Sequence, residues 1–322
     1  MTKALIVGVE KYGTQTLTGC ADDARAVAAL LRNNADGSPN MEIDLQTAVT
    51  DKASLLRQIT ELFQQPRTIS LFYFSGHGLV NQLGGYLVTP DVKAYDEGIH
   101  MDIVVQLANA SPALNKIIIL DCCFAGAIGR GNMMAGMNIQ VMEGLTILTA
   151  SRHNEPAKMY GGKSLFTALL VQALSGGAAD IRGRITPGSV YAYIDQTLGE
   201  TGQRPVFKTN ITRFAPLRTA KPQLSPEVLR KLTGYFGAPD DAFPLDPSFE
   251  YTNTAAYAPL KKKPYAKAKN VKTFKELQQM QSVGLVVPQG APFMYLAAMA
   301  GKSCKLTPLG KHYWQLVKEN KI

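Results

Sequence analysis

The sequence has few cysteines and no long hydrophobic run, and both absences narrow the class of protein. Four cysteines in 322 residues are too few for a disulfide scaffold, and two of them, Cys122 and Cys123, are adjacent. Adjacent cysteines rarely form a structural disulfide, so the pattern favours a reduced, intracellular protein. No apolar stretch approaches the ~20 residues that cross a bilayer, and the N-terminus reads as a strand instead of a secretory signal. We therefore expect a cytoplasmic protein without a membrane partner.

Negative charge is scarce in the C-terminal third. From Thr219 onward the chain has 15 Lys and Arg against 7 Asp and Glu, whereas the first 218 residues have 19 against 18. The net charge of +9 therefore arises almost entirely in the C-terminal third. The apolar content of 46% and the charged content of 18% are those of an ordinary globular protein.

The first two thirds of the chain alternate between apolar β-rich runs and amphipathic helical patterns. This alternation is typical of an α/β domain with a largely parallel sheet. The predicted strands are 3–9, 41–49, 68–74, 115–120 and 145–151, with a hairpin arm at 84–92 and an edge strand at 204–214. The predicted helices are 20–33, 51–65, 100–110, 164–177 and 188–199.

Two reactive side chains directly follow two of the apolar strands. His77 lies in the sequence SGHG after the strand 68–74, and Cys123 lies in DCCFAG after the strand 115–120. Reactive groups in open α/β sheets gather beyond the carboxyl ends of the strands, so these residues should lie close together. An imidazole can take the proton of a thiol and hold the positive charge near the thiolate, which activates a cysteine nucleophile.

Small residues surround both groups and leave room for a substrate. Glycines allow a close approach of the backbone, whose N–H groups can then bind a developing oxyanion. The predicted donors are the backbone amides of Gly78 and Cys123. For Cys123 alone, a buried structural thiol would be the default interpretation, and His77 with the surrounding motifs favours the nucleophile instead. Cys122 should face the opposite side of the strand and pack in the core, and it is the alternative nucleophile if the register is shifted by one residue.

The motifs LTGCADDA, FYFSGHG and IIILDCCFAG resemble, in this order, those of the caspase and metacaspase cysteine peptidases. LTILTASRHNEPA and SLFTALLVQAL extend the resemblance to about residues 1–215, and it is greatest to bacterial metacaspase-like enzymes. Caspases place the histidine about 50 residues before the cysteine, and here the separation is 46 residues. The resemblance implies a caspase-like fold, with His77 as general base and Cys123 as nucleophile.

The resemblance also implies a pocket for the substrate residue before the cleaved bond. Asp23 and Asp121 match the family's acidic pocket residues, and Cys20 and Ser75 match its other walls. Two carboxylates in one small cleft favour a cation between them, because each raises the cost of ionising the other. Arg or Lys would supply that cation. The neighbouring Asp22 is instead interpreted as a helix-start carboxylate, which is also the alternative interpretation of Asp23.

Departures from the family pattern limit what is carried over. The acidic calcium loop that several metacaspases have after SGHG is replaced here by LVNQLGGYLVTPDV, so we expect no calcium dependence, no metal and no cofactor.

The loop 129–144 follows the nucleophile, and such loops rearrange on activation in the caspase family. Arg130 and Lys158 flank it as candidate self-cleavage points, although the loop could also remain uncut. His100, His153 and His312 are interpreted as structural or surface residues, and Cys304 as a packed residue.

The chain after residue 218 has a different character. We interpret 219–270 as an irregular and lysine-rich linker region and 271–322 as a small basic α+β module. Helix 273–284, strands 285–288 and 293–299 and a final helix 306–319 give it a pattern that resembles a winged helix. Its charge suits a regulatory protein partner or another acidic ligand, including nucleic acid, although simple packing is also an adequate explanation.

Together these features predict a caspase-like peptidase domain over 1–218. The predicted function is endoproteolysis after Arg or Lys, as regulated proteolysis in bacterial stress or phage defence. The alternative is a catalytically inert caspase-like scaffold that binds a partner or nucleic acid through its basic C-terminal region.

Overall fold

The computed structural model describes residues 1–81, 83–93, 96–124, 140–150, 159–160, 163–199, 205–256 and 262–322. The contacts between residues define two compact units, Met1–Lys221 and Pro222–Ile322. Residues 222–270 therefore belong to the same unit as the C-terminal helix. Within the described ranges, no helix combines the length and apolar character needed to cross a bilayer.

The first unit is built on one mainly parallel sheet with helices on both faces. Its strands are β1 (Thr2–Gly8), β2 (Lys11–Tyr12), β3 (Gln15–Thr16), β4 (Glu42–Gln46), β5 (Ile69–Asn81), β6 (Gly84–Leu87), β7 (Ile99–His100), β8 (Asn115–Phe124), β9 (Leu145–Thr149), β10 (Met159–Tyr160), β11 (Lys163–Ser164), β12 (Arg184–Ile185), β13 (Val206–Asn210) and β14 (Arg218–Thr219). Its helices are α1 (Cys20–Arg32), α2 (Lys52–Gln64), α3 (Met101–Asn109), α4 (Leu165–Gln172), which continues as a π-helix over Ala173–Gly177, and α5 (Pro187–Leu198).

The main sheet has the strand order β13-β9-β8-β5-β1-β4. The four pairs from β9 to β4 are parallel, and β13 closes one edge antiparallel to β9. β6 pairs antiparallel with the second half of β5, and β7 pairs with β6. The predicted α/β architecture with a mainly parallel sheet is confirmed.

Both faces of this sheet are buried, which explains why its strands read as continuous apolar runs. Alternate residues of β5 enter opposite cores: Leu71 and Tyr73 pack with α1, α4 and α5, whereas Phe72 and Phe74 pack with α2 and α3. β8 follows the same alternation, with Ile119 in the first core and Cys122 in the second. The predicted packing role of Cys122 agrees with its 2% exposure.

The strands β5 and β8 are longer than the sequence indicated. The prediction ended them at residues 74 and 120, before the SGHG and DCCF motifs, and this was wrong. Parallel pairing continues through Ser75↔Asp121 to Gly78↔Phe124. Backbone hydrogen bonding in this ladder, together with the pairing of β6, outweighs the low strand propensity of glycine.

The second unit contains a three-stranded antiparallel sheet surrounded by helices. Its elements are α6 (Pro226–Arg230), α7 (Leu232–Tyr235), β15 (Ala242–Pro244), a 3₁₀ turn at Pro247–Phe249, α8 (Ala268–Ser282), β16 (Val286–Gln289), α9 (Met294–Met299), β17 (Ser303–Leu306) and α10 (Pro308–Lys318). The sheet order is β15-β17-β16.

The predicted second strand of this unit was wrong. Residues 293–299 contain the helix α9, because Ala, Leu and Met are strong helix formers, and the strand that pairs with β16 is β17. The predicted two-stranded wing is therefore one part of a three-stranded sheet, and a helix lies between its two strands. The final helix begins as predicted, with Thr307 as N-cap accepting a hydrogen bond from Gly310 N–H at 3.0 Å.

Candidate active site

The structure places His77 and Cys123 at paired positions on adjacent strands. In the parallel ladder between β5 and β8, the Cα partner of His77 is Cys123. Cys123 and Phe124 are described here by their backbone alone. Gly78, the predicted oxyanion donor, is the next residue of β5 and is buried. The register therefore brings together the backbones of all three residues of the predicted catalytic centre.

His77 is partly buried and packs against an aromatic ring. The ring centroids of His77 and Tyr12 lie 4.6 Å apart with a tilted geometry. Burial lowers the pKa of the His77 imidazole below its ordinary value, because the charged form loses hydration. A neutral imidazole is the form that can accept a proton from a thiol.

Tyr12, in the hairpin β2–β3, is hydrogen-bonded to the backbone of β5 at His77. Its hydroxyl accepts a hydrogen bond from the backbone N–H of His77 at 2.8 Å and donates one to the carbonyl oxygen of Val9 at 3.2 Å. Burial raises the pKa of the Tyr12 phenol, so the hydroxyl keeps its proton. A Cβ atom at Gly76 would lie 2.5 Å from the Tyr12 hydroxyl oxygen, so only glycine leaves room for this contact. The sequence analysis missed Tyr12.

We expect Tyr12→Phe to lower the free energy of unfolding by about 1–3 kcal/mol, because it removes the hydrogen-bond partner of the His77 backbone N–H. We expect Tyr12→Ala to move the pKa of His77 upward, toward its ordinary value, because water then reaches the ring. NMR titration of His77 in a Cys123→Ala background measures that pKa directly. The matched control is Tyr86→Ala, since Tyr86 packs on His100 at a centroid distance of 4.8 Å. An unchanged His77 titration in Tyr12→Ala would contradict the positioning role.

The two predicted pocket carboxylates are joined by one serine. Ser164 donates its backbone N–H to Asp23 Oδ2 at 3.3 Å and its hydroxyl to Asp121 Oδ1 at 2.8 Å. Asp23 is 2% exposed and Asp121 is 4% exposed. The structure thus brings Asp23 of α1 and Asp121 of β8 together, as the resemblance implied. Ser164 was not among the predicted site residues.

Asp121 also ends a buried chain of hydroxyl groups. Thr167 donates its hydroxyl to Asp121 Oδ2 at 2.5 Å, and the Tyr73 hydroxyl lies 2.6 Å from Thr167 Oγ1. Since Thr167 uses its proton on the carboxylate, Tyr73 is the donor to Thr167. Burial raises the pKa of Asp121, and the hydrogen bonds from Thr167 and Ser164 oppose this shift. The carboxylate is therefore oriented by fixed donors at a site where its charge is costly.

Cys20 and Ser75, the other predicted pocket walls, lie in the same region. Burial raises the pKa of the Cys20 thiol to about 12, a hydrogen bond from Ser75 opposes the shift, and the charges of Asp121, Asp23 and Glu10 add to it. Cys20 therefore stays a thiol at neutral pH and does not compete as a nucleophile. All four predicted pocket residues are buried.

Glu10 fixes the start of α1, which carries Asp23. Its Oε1 accepts hydrogen bonds from Gly19 N–H at 3.0 Å and Ala21 N–H at 3.1 Å. The N-cap residue Gly19 has no side chain to make these bonds, so a carboxylate from the preceding loop replaces the usual cap. The sequence analysis missed this residue.

Glu10→Ala is expected to lower the free energy of unfolding by about 0.5–2 kcal/mol, the cost of losing an N-cap. Urea denaturation measures this change. Glu61→Ala is the control, because Glu61 is exposed on α2 and such surface changes stay within ±0.5 kcal/mol. Equal effects of the two substitutions would show that Glu10 does not cap the helix.

The remaining candidate residues have local roles of their own wherever the structure describes them. Asp22 is exposed and pairs with Arg25 at 2.7 Å. His100 caps α3, accepting a hydrogen bond from Asp102 N–H at 3.1 Å. Cys304 is completely buried in β17, and His312 is exposed on α10. Arg130, Lys158 and His153 lie outside the described residues.

The fold agrees with the comparisons to known proteins. A family model described as the caspase domain, Peptidase_C14, matches residues 1–215. The chain therefore belongs to the caspase-domain family, and its N-terminal unit is a caspase-type cysteine peptidase domain.

A solved structure shows the same fold. The crystal structure of protein GSU0716 from Geobacter sulfurreducens aligns with a TM-score of 0.51 and 15% sequence identity, covering 68% of this chain and 99% of that one. At this identity the likeness concerns the fold alone. No curated protein sequence matches the chain.

Proposed function

We propose that the protein is a cysteine endopeptidase that cleaves polypeptides after Arg or Lys, with Cys123 as nucleophile and His77 as general base. The observation that carries this proposal is the pairing of His77 with Cys123 in the ladder between β5 and β8. Neighbouring strands lie about 4.8 Å apart, a separation across which a base can serve a nucleophile. Membership in the caspase-domain family supports the same assignment.

The proposed reaction assigns each proton to a named group. The His77 imidazole takes the thiol proton of Cys123, and the thiolate attacks the substrate carbonyl carbon to form a C–S bond. The backbone N–H groups of Gly78 and Cys123 bind the oxyanion. The imidazolium then protonates the leaving nitrogen while the C–N bond breaks and a thioester remains. Water, deprotonated by His77, hydrolyses the thioester and restores the thiol. These groups suffice without a metal or cofactor.

The preference for a basic residue is supported by the two linked carboxylates. A guanidinium or ammonium group beside Asp23 and Asp121 would replace the hydration that burial removes and would favour the ionised form of Asp121. Arg should be cleaved faster than Lys, because its planar group pairs with carboxylates in two parallel hydrogen bonds. An Asp substrate would place a third carboxylate at this site and should be rejected.

The test is hydrolysis of fluorogenic peptides that differ only in a terminal Arg, Lys or Asp. We expect the Arg peptide to be cleaved fastest, the Lys peptide more slowly and the Asp peptide not at all. Loss of Arg cleavage in Cys123→Ala assigns the activity to this enzyme. Cleavage of the Asp peptide in preference to the Arg peptide would overturn the proposed specificity. Absence of turnover with all three, including after limited proteolysis, would favour the inert scaffold.

The proposal includes a role in regulated bacterial proteolysis, in stress or phage defence, and a relationship to bacterial metacaspase-like enzymes. This part of the proposal rests on the resemblance of the catalytic motifs.

We also propose self-cleavage at Arg130 or Lys158, since both residues fit the proposed specificity. Purified Cys123→Ala should therefore remain a single chain where the active protein yields two fragments. Fragmentation of Cys123→Ala at the same positions would exclude self-processing.

A regulatory partner with an acidic surface is proposed for the second unit. Lys269, Lys272 and Lys275 recur every three residues on α8 and are exposed, so they form one basic stripe. Between Lys262 and Ile322 the chain has 11 Lys and Arg against 2 Asp and Glu. This charge favours acidic ligands.

A further inference from the structure

A cleft of about 570 Å³ opens beside His77. It lies between the hairpin β2–β3 and the segment that follows β6. Its lining includes His77, Gly78 and the apolar residues Leu79, Val88, Pro90 and Val92, with polar residues of the hairpin opposite them. The four pocket residues Cys20, Asp23, Ser75 and Asp121 are not among its lining residues. The cleft therefore includes His77 and the predicted oxyanion donor Gly78, but it is separate from the carboxylates.

The proton transfers of the proposed reaction decide which part of the substrate this cleft receives. In acyl-enzyme formation His77 must protonate the leaving nitrogen, so the chain that begins at this nitrogen has to lie within reach of the imidazole. The side chain before the cleaved bond points instead to the carboxylates. A cleft that includes His77 and excludes the carboxylates is thus placed to hold the residues after the cleaved bond.

We propose that this cleft binds the first substrate residues after the cleaved bond and selects an apolar side chain at the first of them. This inference rests on the proposed endopeptidase function and adds a second determinant of its specificity. The apolar wall carries it: Leu79, Val88, Pro90 and Val92 line the cleft, and the described lining residues include no carboxylate, ammonium or guanidinium group. A charged side chain that entered would lose hydration without gaining an opposite charge.

The walls of the cleft are held by local hydrogen bonds. Val92 N–H donates to the Thr89 carbonyl oxygen at 3.1 Å and closes a turn. Asp91 in this turn accepts a hydrogen bond from the backbone N–H of Lys52 at 3.0 Å, which fastens the segment to the start of α2. On the opposite side, Gly13 has a φ of +59°, a left-handed conformation that suits the tight turn of the hairpin β2–β3. The cleft is therefore preformed, which limits the ordering cost of binding.

Val92 is the best position for a test, because it lines the cleft and is 41% exposed. Val92→Glu adds a negative charge at the wall without disturbing a packed core. The matched control is Leu83→Glu, since Leu83 is 78% exposed and does not line the cleft. The same substitution is thus made inside and outside the proposed subsite.

The substrates are internally quenched peptides with Arg before the cleaved bond and Leu, Lys or Glu after it. We expect kcat/KM for the Leu peptide to exceed that for the Lys and Glu peptides by about tenfold or more, the discrimination typical of an apolar pocket. Val92→Glu should reduce the Leu-to-Lys ratio at least about tenfold, which corresponds to 1.36 kcal/mol. Leu83→Glu should keep the original ratio.

An Arg–aminocoumarin amide has no amino acid after the cleaved bond, so its cleavage tests the peptidase function independently of the cleft assignment. If this amide is cleaved but the peptide ratios are flat, or are equally altered by Val92→Glu and Leu83→Glu, the cleft assignment is overturned and the endopeptidase remains. If neither the amide nor any peptide is cleaved, the proposed function is overturned together with the assignment.

Discussion

Cys123→Ala and His77→Ala are each expected to lower kcat/KM for an Arg peptide by at least about 1,000-fold, as removal of a member of a catalytic pair does. The double variant Cys123→Ala/His77→Ala should be no slower than either single variant, because the two groups act as a unit. Steady-state kinetics of the three variants measure this non-additivity. Two independent losses that add would contradict a dyad.

The adjacent cysteine supplies the matched control for this prediction. Cys122 is 2% exposed and packs with Ile118 and Leu120 in the second core. Cys122→Ala removes one buried sulfur and is expected to lower stability modestly while the rate stays within a few-fold. If Cys122→Ala abolished cleavage and Cys123→Ala did not, the register of the catalytic centre would be shifted by one residue.

The second large effect is expected from the pocket carboxylates. Asp121→Asn and Asp23→Asn should each lower kcat/KM for Arg peptides about 100-fold, since truncating a partner of a buried charge pair costs 2–5 kcal/mol. Asp22→Asn is the control, because Asp22 lies on the same helix but is exposed and pairs with Arg25. If both pocket variants kept their selectivity for Arg over neutral residues, the carboxylates would have a structural role and would not bind the substrate side chain.

Asp121→Asn should also change the pH dependence of stability, and the sign follows from its raised pKa. Burial raises this pKa, so the folded protein holds the proton to higher pH than the unfolded chain does. The contribution of Asp121 to the free energy of unfolding is therefore present below the ordinary carboxyl range and lost as pH rises through the raised pKa. Urea denaturation at several pH values should show a smaller loss in Asp121→Asn. A steeper loss would contradict the direction of the shift.

The same titration predicts how substrate binding depends on pH. An Arg side chain binds best to the ionised form of Asp121, so binding should release a proton and KM should fall as pH rises through the pKa of this group. A KM that is independent of pH for Arg peptides would mean that Asp121 does not contact the cation.

Sequence patterns predicted the mainly parallel sheet because both of its faces are buried, and they placed His77 and Cys123 on neighbouring strands. Continuous apolar runs such as TISLFYF and NKIIIL are recognisable without tertiary information, and motifs that directly follow two neighbouring strands must meet. The ends of these strands were predicted too early. Their extension depends on pairing with β6 and on the ladder through His77 and Cys123, and local propensity cannot show either.

The supporting residues of the site were missed for the same reason. Tyr12 lies 65 residues before His77, and Ser164 lies 141 residues after Asp23. Hydrogen bonds over such distances leave no periodic signal in the sequence, and a tyrosine or serine in a polar segment has many equally good explanations. In the second unit, the helix α9 was predicted as a strand because a short apolar run fits either structure.

The central claim is that Cys123 is the nucleophile of a protease specific for basic residues, and covalent trapping tests it most directly. The protein is incubated separately with peptidyl acyloxymethyl ketones ending in Arg or Asp, and the modified residue is located by mass spectrometry of digested peptides. The account predicts rapid labelling by the Arg reagent on Cys123, none on Cys122, and loss of labelling in His77→Ala. Labelling of Cys122, or faster labelling by the Asp reagent, would contradict it.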